Sequence, residues 1–392
     1  MKNIKENLDI IVIGSGIGGL VTASQLASKG AKVLVLEKYL IPGGSGGSFK
    51  RKGYTFDVGA SMIFGFGDKG YTNLLTRALK DIGENCETIP DPVQLEYHLP
   101  NNFNLSVDRK YEEFIKKLVN RFPHEEKGIR KFYGTCEKVF KCLDSMPLLS
   151  IEDPNYLFKV FLKSPLSCLG LARWLPINAG DVAKRYINDP ELLKFIDIEC
   201  FCWSVMPALK TPMINAGMVF TDRHVGGINY PKGGVGQIAE KLVSGLEKLG
   251  SSIRYKANVN EILIRDNRAI GVKLSNGETL YAENIVSNST RWDTFGLKGH
   301  NEGLVKKKYV PKREYKWAET YKASPSFVSI HLGVNSKIIS EEFNCHHIIV
   351  EKWEELENEK GVIFISIPTL LDPTLAPEGK HIVHAFTPSS IQ

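Results

Sequence analysis

The sequence predicts an α/β fold: a doubly wound, Rossmann-type dinucleotide-binding domain with an α+β domain inserted into it. Three observations point to it. Residues 9 to 37 read in order as strand, Gly-rich turn, helix, strand and acid. A largely helical stretch then runs from about 86 to 225. After 226, helix and strand alternate again, and further strands follow from about 310.

The first strand, Ile10-Ile11-Val12-Ile13, runs directly into Gly14, Gly16 and Gly19. Gly14 allows a tight turn, Gly16 lets backbone approach a pyrophosphate, and Gly19 lets the following helix sit close to the strand. Ala23, Leu26 and Gly30 continue at helical spacing, and the helix N-terminus presents N–H groups to an anion. The second strand, Lys32 to Leu36, ends in Glu37, which stands 23 positions after Gly14. A carboxylate there can accept hydrogen bonds from a ribose diol. A lone GxGxxG is weak evidence, but here strand, helix, second strand and terminal acid all accompany it.

NAD and FAD share such a loop. A second Gly-rich stretch, Ile41-Pro42-Gly43-Gly44-Ser45-Gly46-Gly47-Ser48, follows the acid, and Tyr54-Thr55-Phe56-Asp57-Val58-Gly59-Ala60-Ser61 comes next. Backbone that approaches a bulky planar group needs such glycines, which favours a flavin over a nicotinamide; an ordinary Gly-rich surface loop is the other reading. Helical spacing of apolar residues marks Glu112 to Leu118, Ile129 to Leu143 and Asp189 to Cys202. Beyond Gly226 the sequence predicts a helix, Gln237 to Leu249, and a strand, Ser252 to Lys256. A meander over Val259 to Arg265, Ala269 to Leu274 and Thr279 to Asn284 follows, and Glu283 to Asn288 re-enters the sheet. Strands are expected at Phe327 to Val334, His346 to Val350, Val362 to Pro368 and His381 to Phe386. The expected division is therefore 1–85 and 226–290 for the dinucleotide domain, with 86–225 (helical) and 291–392 (strand-rich) for the substrate domain.

The 392 residues suffice for two domains, and 43% hydrophobic with 24% charged content is that of a globular protein, which excludes disorder. The net charge of +6 is too diffuse for a nucleic-acid stripe, so no nucleic-acid partner is expected. Seven scattered cysteines without a CxxC indicate free thiols in a reducing compartment. No apolar run has the length of a membrane span, and the polar start Met1 to Asn7 leaves no room for a signal or transit peptide. The expected location is cytoplasmic, peripheral to a membrane. Tyr156 to Lys163 and Leu169 to Pro176 motivate that contact: they are apolar and aromatic, carry Lys159, Lys163, Arg173 and Trp174, and are broken at Pro165. This composition fits an interfacial helix pair; a buried helix with snorkelling lysines is the alternative.

No metal site is expected. Cys345, His346 and His347 are adjacent, and adjacent residues of a strand point to opposite faces, so they rarely share one ion. Gly14-Ser15-Gly16 is phosphate-binding context and not a hydrolase serine. No side chain is singled out as catalytic.

Asp9 to Glu37, Pro42-Gly43-Gly44 and Phe56 to Gly59 resemble the phytoene desaturase-related flavoproteins, a group of carotene desaturases, carotenoid isomerases and retinol saturases. Six further blocks resemble its carotenoid (prolycopene) isomerase branch: Leu36 to Gly44, Phe64 to Gly70, His98 to Asn102, Lys210 to Ala216, Asp222 to Pro231 and Thr290 to Phe295. The resemblance runs over nearly the whole chain. It implies a doubly wound FAD domain, a hydrophobic tunnel reached from the membrane, and conversion of poly-cis-lycopene to all-trans-lycopene with reduced FAD and no net redox change. The cofactor positions it implies are Gly14, Gly16, Gly19, Glu37, Lys38, Gly43, Gly44, Gly59, Ala60 and Val259. It also implies a C-terminal Gly-rich return to the FAD sheet, which the residues up to Gln392 do not contain. A desaturase or retinoid saturase of the same family, or an inactive carotenoid-binding remnant, are the alternative expectations.

Overall fold

The computed structural model describes residues 8–59, 61–68, 70–147, 153–299, 302–321, 324–340 and 342–389. The chain forms two compact units. The first comprises Met1–Ser61, Thr76–Thr88 and Pro231–Ala323; the second comprises Met62–Leu75, Ile89–Tyr230 and Ser324–Gln392.

The first unit is built on a four-stranded parallel sheet, ordered Asn284–Ser287, Ile10–Ile13, Val33–Leu36, Ser252–Arg254. Its central strands are apolar on both faces because both are covered. Ile10, Val12, Val33 and Val35 pack with Ala23 and Ala27 of the helix Ile17–Ala27 and with Leu246 of the helix Gly236–Lys248. Ile11, Ile13 and Leu36 face the other way, onto Val259, Ile262, Val272 and Leu274. Those four residues belong to a three-stranded antiparallel meander, Val259–Arg265, Arg268–Leu274 and Thr279–Tyr281. The predicted meander and the re-entering strand are thus both present, the latter parallel to Ile10–Ile13.

Residues 291–323 also lie in this unit, whereas the sequence reading set everything from 291 onward in the strand-rich part of the other domain. The packing explains why. Leu297, Val305, Val310 and Ala318 are buried in the core beneath the parallel sheet, and Trp292, Phe295 and Trp317 close over it.

The second unit holds a six-stranded sheet. Its order is Ser326–Asn335, Lys380–Ser389, Ile363–Ser366, His346–Ile349, Val93–Leu99, Phe103–Asp108. Pairing is antiparallel except between His346–Ile349 and Val93–Leu99. The four strands expected after 310 are all here. Two more, Val93–Leu99 and Phe103–Asp108, come from the stretch read as largely helical. Leu95, Tyr97 and Leu99 alternate into a core shared with the helices Tyr111–Arg121, Glu126–Asp144, Ala179–Tyr186, Pro190–Ser204 and Met213–Val225.

A buried ionic network fastens that core. Arg223 donates from Nη1 to Glu199 Oε1 at 2.6 Å and from Nη2 to Oε2 at 3.2 Å. Tyr133 donates to Glu199 Oε2 at 2.6 Å and Tyr97 to Oε1 at 3.3 Å. Both charged side chains are fully buried. The guanidinium also lies against the rings of Phe114 and Phe220. Two helices and a strand thus meet on one carboxylate whose charge is matched and whose oxygens are occupied, the condition under which a buried ion pair is tolerated.

Candidate dinucleotide site

The Gly-rich loop forms where the sequence places it. Gly14 takes φ +91° and donates its N–H to Leu36 O at 2.8 Å, so the first strand turns at the end of the second. Gly16 is the N-cap of the helix Ile17–Ala27, and no side chain caps that N-terminus. A Cβ on Gly19 would stand 2.2 Å from Gly14 O, so only glycine lets helix and strand approach this closely. A Cβ on Gly16 would meet Asn288 Nδ2 at 2.9 Å.

Glu37 joins the loop to the exit of the second strand. Its Oε2 accepts from the Ser15 N–H at 2.8 Å and the Ser15 hydroxyl at 2.5 Å, and its Oε1 accepts from the Tyr39 N–H at 2.9 Å. A carboxylate offers about four lone-pair sites, so one is left for a ligand hydroxyl. The Glu37 backbone is clamped as well, donating to Arg254 O and accepting from the Ala257 N–H. Lys38 follows at the surface, its Nζ 4.8 Å from the centroid of the Tyr39 ring.

A cavity of about 600 Å³ opens beside these residues, within the range of cofactor pockets. Gly14, Gly16, Glu37, Lys38, Gly44 and Val259 line it. Of the other expected positions, three stand behind the lining. Gly19 seats the helix. Gly43, at φ +104°, donates to Ser15 O at 2.8 Å and bridges to Gly16. Gly59 packs against Ser45, whose carbonyl oxygen would be 2.9 Å from an added Cβ. Ala60 lies outside the described residues.

The sequence reading missed the opposite wall. Asn288, Ser289, Thr290 and Asp293 line the cavity from the end of the Asn284–Ser287 strand, and Asn258 and Leu304 line it from the meander side. Asn288 reaches furthest, over Gly14, Gly16, Gly18 and Gly19. A polar residue just past a parallel strand was the available signal, since ligands in open α/β sheets sit at the carboxyl ends of strands.

The residues present fit a dinucleotide. A helix N-terminus without a side-chain cap, a cradle that added Cβ atoms would fill, and an acid with an acceptor site to spare converge on one cavity. Asp57 secures the neighbouring Gly-rich turn, accepting from Val235 N–H at 2.8 Å and from the Ser48 hydroxyl at 2.9 Å.

The Tyr156 to Pro176 segment forms two helices, Pro154–Lys163 and Pro165–Ala172; the break expected at Pro165 falls at Ser164, and Pro165 opens the second helix. Phe158 (62%), Leu162 (63%) and Leu166 (83%) are exposed, and Leu169 and Leu175 with them. Trp174, expected at an interface, is instead buried in the core of the second unit. Among the described residues, no helix is long and apolar enough to cross a membrane.

Comparison with known proteins agrees with this geometry. The flavin containing amine oxidoreductase family matches residues 17–388. A chloroplastic prolycopene isomerase of Daucus carota is 57% identical over 98% of this chain and 62% of its own length. One from Arabidopsis thaliana is 55% identical over 98% of this chain and 64% of its own length. The chain therefore spans less than two thirds of the length of these relatives. An oxidoreductase from Methanosarcina mazei has the same fold, with a TM-score of 0.66 at 19% identity over 98% of this chain and 79% of its own. With residues 17–388 matched and the dinucleotide cavity formed, the chain belongs to the flavin containing amine oxidoreductase family, and its cofactor is FAD.

Proposed function

We propose that this chain carries the cofactor-holding part of a prolycopene isomerase, which converts poly-cis-lycopene to all-trans-lycopene. The observation that carries this reading is the 57% identity to an isomerase, which runs through 98% of the chain. Two isomerase-like blocks, Leu36 to Gly44 and Thr290 to Phe295, also contribute residues to the cavity wall.

In this reading Gly14, Gly16 and Gly19 bring backbone and the helix N-terminus to the pyrophosphate. Glu37 takes a ribose hydroxyl on its remaining acceptor site. Val259 and Lys38 flank the adenosine end, and Gly43, Gly44 and Gly59 let backbone lie close to the ring system; Ala60 is assigned to the cofactor by the resemblance alone. Rotation about a polyene double bond is slow because the π bond must be broken; reduced FAD, when bound, would lend electron density that lowers that bond order and recover it after rotation, so that no net redox change results. No acid or base from the protein is required, and the chain's task is to hold, orient and exclude water. The exposed Phe158, Leu162 and Leu166 support peripheral contact with the membrane that dissolves the substrate.

The test is to incubate purified chain with FAD, an anaerobic reductant and poly-cis-lycopene in liposomes, and to separate the products. All-trans-lycopene of unchanged mass, formed only with reduced flavin, is expected. A product lacking hydrogens would make the protein a desaturase. Failure to retain flavin at all would overturn the assignment of the cavity.

A further inference from the structure

His346–Ile349 lies parallel to Val93–Leu99, with His347 opposite Glu96 and Ile349 opposite His98. Strand alternation sends Tyr97 and Ile348 into the helical core and leaves Glu96, His98 and His347 together on the other face of the sheet. His346 and His347 do point to opposite faces, as adjacent strand residues must. What sequence spacing does not show is that His347 finds its partners on another strand, 249 positions away.

Three potential ligand atoms converge. His98 Nε2 is 3.0 Å from His347 Nδ1, and Glu96 Oε2 is 3.5 Å from that same nitrogen. A tetrahedral ion with bonds of about 2.0–2.2 Å holds its ligand atoms roughly 3.3–3.5 Å apart; both separations at His347 Nδ1 lie within a few tenths of an ångström of that, and all three ligand atoms lie within 4.8 Å of one another.

The outer atoms of all three groups are already anchored. His347 Nε2 is 2.9 Å from Asn344 O. A carbonyl only accepts, so Nε2 carries the hydrogen and the neutral ring turns the Nδ1 lone pair toward His98 and Glu96. His98 Nδ1 is 3.3 Å from Asn104 Oδ1. Glu96 Oε1 accepts from Asn344 Nδ2 at 2.5 Å, which leaves Oε2 directed at the histidines. Oxygen partners on the far nitrogens and a fixed carboxylate are what outer-shell residues supply at histidine metal sites. Glu96 and His98 are half-buried while His347 is buried, so the group is held firmly yet reachable from solvent.

We propose that Glu96, His98 and His347 bind one divalent transition-metal ion of the zinc class, with the fourth position left to water. Without the ion, the His98 Nε2–H donates to His347 Nδ1. On binding, the His98 ring exchanges its Nε2–H for an Nδ1–H facing Asn104 Oδ1, and both inward nitrogens become ligands. The ion fastens two neighbouring strands that are distant in sequence, and so it acts on stability. A second group, Asp91, Cys345 and His346, lies nearby but is fully buried. It differs from the first in holding a thiol, and that difference separates the two experimentally.

The test uses the full chain, stripped with chelator and titrated with Zn²⁺ and with Co²⁺. One equivalent per chain is expected, with a visible cobalt band of tetrahedral type and no near-ultraviolet thiolate-to-cobalt charge transfer. The thermal midpoint should rise with zinc: at free zinc about 100 times its dissociation constant, the unfolding equilibrium shifts about 100-fold. His347→Gln and His98→Gln should each lose the bound equivalent, whereas Cys345→Ser should keep it. His98 is the more exposed of the two histidines, so His98→Gln, checked for an unchanged circular dichroism spectrum, decides the matter if His347→Gln folds poorly. Absence of stoichiometric binding, binding retained in the folded histidine variants, or a thiolate band lost with Cys345→Ser would each overturn the proposal.

Discussion

Gly19→Ala is the sharpest test of how this loop works, because its effect follows from one distance. The new Cβ would stand 2.2 Å from Gly14 O and 3.1 Å from Asn288 Cβ and Cγ. To reach even 3.0 Å, one of the two backbone segments must retreat. Gly14 has little freedom, being hydrogen bonded to Leu36 O at the end of a strand paired on both sides. The helix Ile17–Ala27 must therefore lift by about 1 Å. Its buried Leu20, Ala23 and Ala27 then part from the sheet, and a gap of that size forfeits about a quarter to a half of each contact. Overpacking of this kind costs roughly 1–3 kcal/mol. The helix N-terminus moves with it, and a misplacement of about 1 Å weakens a positioned interaction by as much as ~100-fold. Gly18→Ala is the internal control. Its Cβ meets only the end of the Asn288 side chain, Oδ1 at 2.9 Å and Cγ at 4.0 Å, and that side chain can swing away. Flavin fluorescence titration and thermal melting should show Gly19→Ala impaired in both affinity and stability, with Gly18→Ala near the parent. Equal behaviour of the two variants, or full FAD affinity in Gly19→Ala, would refute the reasoning.

Four further outcomes are expected. Glu37→Ala strands the N–H donors of Ser15 and Tyr39; hydrogen bonds to a charged group are worth about 1.5–3 kcal/mol each, so FAD affinity should fall at least ~10-fold and the melting point should drop in titration and melting experiments. Glu199→Gln leaves Arg223 as an unmatched buried charge and should destabilise by about 3–5 kcal/mol in urea unfolding, whereas Glu199→Met with Arg223→Met should cost less. Changing Phe158, Leu162 and Leu166 together to Ser removes about 1 kcal/mol of apolar transfer per residue, so liposome partitioning should weaken by roughly 100-fold in flotation assays. Burial pushes the Asp222 carboxyl up to about 6. The folded state then holds its proton more tightly than the unfolded state, so this contribution to stability is present below about pH 4 and is lost as pH rises to about 6. The loss amounts to about 3 kcal/mol, and Asp222→Asn should flatten that part of the pH–stability curve.

How much the sequence reveals depends on how local the signal is. Gly14, Gly16, Gly19 and Glu37 were legible because turn, helix and acid lie within thirty residues of each other and each needs its own residue type. Asn288, Thr290 and Asn258 line the same cavity but flank strands more than two hundred positions later, where only sheet pairing brings them in. The strands Val93–Leu99 and Phe103–Asp108 were hidden for a different reason. Their period-2 signal is carried by Leu95, Tyr97 and Leu99 on one side and by Glu96 and His98 on the other, a short pattern beside long helices of strong three-and-four spacing. The same alternation hid the histidine group, since its members share a face only once the parallel register is known.

Glu37 shows why this site is formed before any ligand arrives. A carboxylate present only for the ribose would need to be held by other groups. Here the carboxylate itself does the holding: three donors from two separate turns converge on it, and its backbone is tied to Arg254 and Ala257 on the adjoining strand end. Three parallel strands finish at this edge, at Ile13, Leu36 and Ser287, and each is followed by a residue of the cavity wall: Gly14, Glu37 and Asn288. Strand ends are rigid where loops are not, so the geometry that meets the dinucleotide is set by the sheet register. The ligand then has little ordering entropy to overcome. Glu37→Gln separates these two roles. The amide keeps one acceptor oxygen but sets an NH₂ against either the Ser15 or the Tyr39 donor. If the acid serves chiefly as a staple, Glu37→Gln should lose stability as Glu37→Ala does. If it serves chiefly the ribose, affinity should fall while the melting point of the flavin-free protein stays close to the parent value. The three short bonds already in place argue for the first outcome.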